Sequence, residues 1–174
     1  MFTLKIIGCI CVMSSCAGIG LYFSATLKER FAYLKELKKI LLLLRGDIRY
    51  ANTQLSEALS SISMRHKGEF RSFLSWVSEQ MEQMQGKTIA DIWKEGVEQK
   101  LKNAPLSKKD IEALISFGSN LGYLDKDMQL STIDLYVSTL EAEIEETSRT
   151  MKEKSYLYNS LGIMAGVFIA IVLI

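Results

Sequence analysis

Proline is nearly missing from this sequence: Pro105 is the only one in 174 residues. Long stretches can therefore run as helix without the ring that removes a backbone donor and clashes with the preceding turn. Histidine is as scarce. His66 stands alone, which excludes metal sites built on two imidazoles; flanked by Arg65, Lys67 and Gly68, it reads as an exposed loop residue. A basic excess is also missing, with 21 Lys and Arg against 20 Asp and Glu. A nucleic-acid binder carries a surplus or stripe of positive charge, so that class is set aside. The three cysteines, Cys9, Cys11 and Cys16, all fall in one apolar stretch. They imply no disulfide framework and read as small packing residues of a membrane helix.

What is present begins at the ends. Ile6 through Leu27 carries no charged side chain, nor does Leu157 through Ile174. A membrane helix needs roughly 20 apolar residues to cross about 30 Å of hydrocarbon, and both stretches meet that length, the second narrowly. The expectation is a transmembrane anchor over 1–27, a bundle over 28–156 and a second transmembrane helix over 157–174. A cleaved signal with lipid on Cys16, after Met13-Ser14-Ser15, is the alternative for the first stretch. Continuation of the apolar pattern through Ile19, Leu21, Tyr22 and Phe23 favours a retained span. Lys28, Arg30, Lys35, Lys38, Lys39 and Arg45 follow the first stretch, and Arg149, Lys152 and Lys154 precede the second. Basic residues favour the cytoplasmic side, which puts the body there and both termini across the membrane. Gly162, Gly166 and Ala170 share one face of the second stretch and form a candidate surface for close helix packing. Tyr156 and Tyr158 suit the headgroup level.

The body reads as helical throughout, an all-α bundle of about six helices. Leu34, Leu37, Leu41, Leu44, Ile48, Ala51 and Leu55 step by three and four, as do Leu130, Ile133, Val137, Leu140, Ile144, Thr147 and Met151. That spacing marks two long helices packing in a bundle. Shorter helices between them have readable starts. Thr53 is expected to cap the Leu55 helix, Thr88 with Asp91 the next but one, and Ser107 with Asp110 the one after Pro105. Leu121-Gly122 reads as a helix stop, and Asp125 as the cap of the last long helix. Trp76, Trp93, Met81 and Met84 read as core rather than as a binding groove.

No catalytic pattern emerges. The sequence holds no phosphate-cradling glycine loop, nucleophile elbow or metal-ligand spacing. Gly118-Ser119-Asn120-Leu121-Gly122 lacks the strand-before-helix setting that would give such glycines a role. The expectation is a non-enzyme with no cofactor, no metal, no small-molecule substrate and no nucleic acid.

Several stretches together resemble a known family. They are Leu27-Lys28-Glu29-Arg30, then Ile48-Arg49-Tyr50-Ala51-Asn52-Thr53-Gln54-Leu55-Ser56-Glu57-Ala58-Leu59, and Leu121-Gly122 followed by Asp127 and Gln129. The run Leu161-Gly162-Ile163-Met164-Ala165-Gly166 into Ile169–Ile174 completes the set. In that order they resemble the stage III sporulation protein AB family of endospore-forming bacteria. Gln54 departs from the pattern, since related sequences often have proline there. The family is itself similar to the cytoplasmic domain of the type II secretion platform protein. The resemblance implies a membrane platform of the transenvelope channel joining mother cell to forespore, in the mother-cell membrane facing the forespore. Its implied partners are the lipid bilayer, other sporulation channel membrane proteins and a secretion-type ATPase, with self-association left open. Carried over as a candidate partner interface are Arg30, Tyr50, Leu55, Leu121, Gly122, Asp127 and Gln129. A signal-relay or receptor module and a pore or transporter subunit are the rival readings. A receptor is expected to have a sizeable outward domain or a pocket, and the expected topology leaves almost nothing outside. Spans lining a pore carry ionisable or repeated polar residues, whereas Ile6–Leu27 has only Ser14, Ser15, Tyr22, Ser24, Thr26 and the thiols.

Overall fold

The computed structural model describes residues 25–51, 53–83, 86–121 and 125–173. Among them every regular element is helical, which establishes the all-α class. Helix α1 occupies residues 25–46 and runs into a π-turn, Asp47–Ala51. It is followed by α2 (Leu55–Arg65), α3 (Gly68–Glu82), α4 (Ile89–Lys100), α5 (Lys108–Leu121) and α6 (Lys126–Leu173). The chain divides into two compact units. One is Ala32–Ile144; the other takes the residues up to Phe31 and from Glu145 onward.

In the Ala32–Ile144 unit the apolar stripe of α1 (Leu34, Leu37, Leu41, Leu44 and Ile48) is buried. Consecutive helices pack pairwise, α2 on α3, α3 on α4 and α4 on α5. A chain of aromatic rings joins four helices. Phe73 of α3 meets Trp93 of α4 edge-on at 5.0 Å, Trp93 meets Phe117 of α5 at 5.6 Å, and Phe117 stacks on Tyr136 of α6 at 4.7 Å. Such pairs add about 0.5–1.5 kcal/mol each beyond the area they bury, so this ladder is the spine of the core. Two glycines let it close. A Cβ on Gly118 would stand 2.0 Å from Trp93 Cδ1, and one on Gly96 would stand 2.9 Å from Val77 Cγ2. The Trp93 indole donates to the Leu114 carbonyl at 2.9 Å, so its polar edge is satisfied inside the core. The Tyr136 hydroxyl is buried without a hydrogen-bond partner among the described residues. Burial first, and the Asp110 carboxylate second, push its ionisation well above the usual phenol range.

Helix α6 runs antiparallel to α1 within this unit. Lys38 pairs with Glu141 at 2.7 Å and Arg45 with Asp134 at 2.6 Å. A step of seven residues forward on α1 thus matches seven back on α6, the signature of opposed helices with equal rise. Half-exposed ion pairs of this kind contribute about 0–1 kcal/mol; they define register more than stability.

In the second unit Arg30 Nη1 donates to the buried Thr147 hydroxyl at 3.0 Å. Thr147 therefore sits inward, as its place in the α6 apolar series predicts. Among the described residues no helix is long and apolar enough to cross a membrane. The first apolar stretch lies mostly outside the described residues. Residues 157–173 lie within α6, but the side chains of Tyr156, Tyr158, Gly162, Gly166 and Ala170 lie outside the description.

Three expected helix starts are observed. Thr88 Oγ1 accepts from the Asp91 amide at 3.2 Å while Asp91 accepts from the Thr88 amide at 3.3 Å. Ser107 and Asp110 exchange the same pair of bonds at 2.8 and 3.2 Å. Asp125 accepts from the Met128 amide at 2.9 Å. Thr53 is a correction: the N-cap of α2 is Gln54, which makes no side-chain cap bond. Thr53 instead donates its amide to the Asp47 carbonyl at 3.4 Å, closing the π-turn, so it ends one helix rather than starting the next. Ala51 is likewise exposed, because the wider π-turn rotates the chain out of the heptad stride after Ile48.

Candidate functional site

The described residues suggested as a partner interface separate into four kinds. Leu55 and Leu121 are buried core side chains, which seat the ends of α2 and α5. Gln129 is a connector: its side-chain amide donates to the Leu121 carbonyl at 3.3 Å, tying the last turn of α5 to the first of α6. Arg30 belongs to the other unit through its bond to Thr147. Tyr50 and Asp127 are exposed. Gly122 lies outside the described residues, as does Met84.

Tyr50 is 84% exposed, the most open large apolar side chain among those described. It lies on the π-turn with the Arg49 guanidinium 5.8 Å from its ring centroid. The cation leaves the ring open to solvent, and a cation–π contact at an exposed site is worth only about 0.5–1 kcal/mol. The antiparallel register of α1 and α6 brings the π-turn and the start of α6 to the same end of the Ala32–Ile144 unit. At that end Asp127 is exposed in the first turn of α6 and Met128 is 53% exposed. An exposed tyrosine beside an arginine, a soft methionine and a carboxylate at one end of the unit make a surface suited to protein contact, where aromatic, Met and Arg side chains are enriched.

Ionisable groups elsewhere are arranged for structure. Asp91 is held below the usual carboxylate range, first by the Thr88 side chain and then by its backbone amide. Among the described residues no three His, Cys, Asp or Glu side chains come close enough to hold a metal.

His66 is a correction. It is buried, 7% exposed, and its Nδ1 lies 3.1 Å from Glu36 Oε1 on α1, thirty residues earlier. The carboxylate accepts, so Nδ1 carries the proton. Nothing in Arg65-His66-Lys67-Gly68 signals a contact so distant along the chain. Around it opens a cleft of about 560 Å³ lined by Lys35, Glu36, Lys39, Arg65, His66 and Lys67. Sequence reasoning missed this cleft because its cations come from two separate elements. Gly118 was missed as well, although its place one turn from Leu114 on the apolar face of α5 is a signal for close helix approach. Of the two tryptophans, Trp93 is core as expected, whereas Trp76 is only half-buried beside Lys100, 5.8 Å from its ring.

Residues 5–174 match the family model described as stage III sporulation protein AB. The chain is 24% identical over 170 residues to stage III sporulation protein AB of Bacillus subtilis (strain 168), covering 98% of this chain and 99% of that protein. A solved structure of a stage III sporulation protein AB aligns with a TM-score of 0.65 at 24% identity, covering 71% of this chain and 97% of that one. That likeness shows a shared fold.

Proposed function

The chain belongs to the stage III sporulation protein AB family, and on that premise we propose that it is a non-enzymatic membrane platform of the mother cell-to-forespore channel. Its apolar ends anchor it in the mother-cell membrane, and its helical bundle faces the cytoplasm. The bundle offers the Tyr50, Asp127 and Met128 end to other channel proteins or to a secretion-type ATPase. What carries this reading is the family match over residues 5–174, which takes in both apolar ends together with the bundle. The exposed Tyr50 beside Arg49 supports it, since an uncovered aromatic held by a cation suits a partner surface better than a free fold surface.

The test is recovery of a tagged full-length copy from solubilised membranes of sporulating cells. Other sporulation-channel membrane proteins or a secretion-type ATPase should come with it. Tyr50→Ala should lower their recovery at least fivefold while leaving the amount of the tagged protein unchanged, because Tyr50 contributes nothing to the core. Recovery of the intact protein with none of these partners overturns the platform role.

A further inference from the structure

We propose that the cleft above His66 binds a phosphate-bearing anion, either free or as the headgroup of an anionic lipid. Lys35 and Lys39 come from successive turns of α1, and Arg65 and Lys67 come from the junction of α2 and α3. Four cations thus surround one concavity. Among the described residues no carboxylate reaches Lys39, Arg65 or Lys67 within ion-pair distance, whereas Lys38 and Arg45 on the same helix each hold one. The one carboxylate in the wall, Glu36, is engaged by the buried His66. Its charge offsets one cation, and Lys39, Arg65 and Lys67 together leave the wall net positive. A guanidinium fork with several ammonium groups is the donor set that recognises phosphate oxygens.

The shape favours a compact anion over an acidic protein segment. An extended acidic peptide needs cations spaced along a track, but these four line a single shallow depression of about 560 Å³. Lys67 also occupies the N-cap of α3, where it offers no side-chain acceptor. The inference does not rest on the channel reading, since the cleft lies wholly within the Ala32–Ile144 unit.

His66 is the only histidine in the chain, so its imidazole resonance is an unambiguous reporter. The experiment uses the full chain, free of a histidine tag, in neutral detergent at fixed pH and ionic strength. Inorganic phosphate is titrated first, then micelles doped with phosphatidylglycerol against micelles doped with phosphatidylcholine. A saturable His66 shift with phosphate supports a free-anion site; a shift confined to phosphatidylglycerol supports a headgroup site. Either shift should weaken at least tenfold in Lys39→Gln/Lys67→Gln and survive in Lys39→Arg/Lys67→Arg. Both lysines are exposed, so these variants keep the fold. No saturable shift with any probe, an undiminished shift in the Gln variant, or displacement by polyglutamate at lower concentration than phosphate overturns the proposal.

Discussion

Gly118 shows how one missing methyl group decides the packing of two helices. Its backbone lies against Trp93, and a Cβ there would sit 2.0 Å from Cδ1, far inside van der Waals contact. Alanine in a helix gains about 1 kcal/mol over glycine, but overpacking a core costs typically about 1–3 kcal/mol and sometimes more. Sterics win because Trp93 is fixed by edge contacts with Phe73 and Phe117 and by its bond to Leu114. Gly118→Ala should therefore lower the thermal unfolding midpoint by on the order of 10 °C, followed by circular dichroism and by Trp fluorescence. Gly96→Ala should cost less, since its nearest neighbour is the movable Val77 Cγ2 at 2.9 Å. A smaller loss at Gly118 than at Gly96 would refute this ordering.

At the scale of the element, the helix starts carry the local code. The carboxylate in the Thr88–Asp91 box titrates below the ordinary aspartate value of 3.8 because the Thr88 side chain and then the Thr88 amide bond its charged form, with Lys87 and Lys94 helping. A carboxylate depressed in the folded state supports α4 fully at neutral pH. That support fades only as pH falls below 3.8 and through the lowered value. Thr88→Ala should raise the Asp91 pKa towards the ordinary value, read from its side-chain carboxyl carbon by NMR, and should lower amide protection in the first turn of α4 at neutral pH. An unmoved Asp91 titration would assign the depression to the backbone amide at position 88 and the lysines. The α2 start shows the limit of this code: Thr53 has a capping side chain at a plausible position, yet the π-turn takes its amide and the helix begins after Gln54.

For the whole molecule, the decisive quantity is how the chain is held in the cell. The platform reading requires Ile6–Leu27 and Leu157–Ile174 to stay in the bilayer, with the residues between them on one side. The protein should remain in the membrane pellet after alkaline carbonate, and protease outside whole cells should leave the bundle intact. Release by carbonate, or digestion of the bundle from outside, would remove the basis of the platform role. A further consequence concerns rigidity. The aromatic ladder from Phe73 to Tyr136 joins α3, α4, α5 and α6 into one close-packed body.

Apolar periodicity, the scarcity of proline and the side chains at helix starts were enough to determine an all-α chain and most of its helix boundaries, because each acts within a few residues of sequence. They also marked which faces are apolar, and Leu34 through Ile48 are buried as that spacing requires. Only the tertiary structure decided which faces meet. Glu36 finds His66 thirty residues away, Lys39 joins Arg65 and Lys67 around one cleft, and Gly118 receives Trp93. The candidate interface divided for the same reason. Leu121 went inward, Gln129 became a connector and Tyr50 turned out to solvent, outcomes set by inter-helix register and a π-turn rather than by any local pattern. Periodicity specifies the stripe a helix must bury; the helix that covers it is chosen by long-range packing.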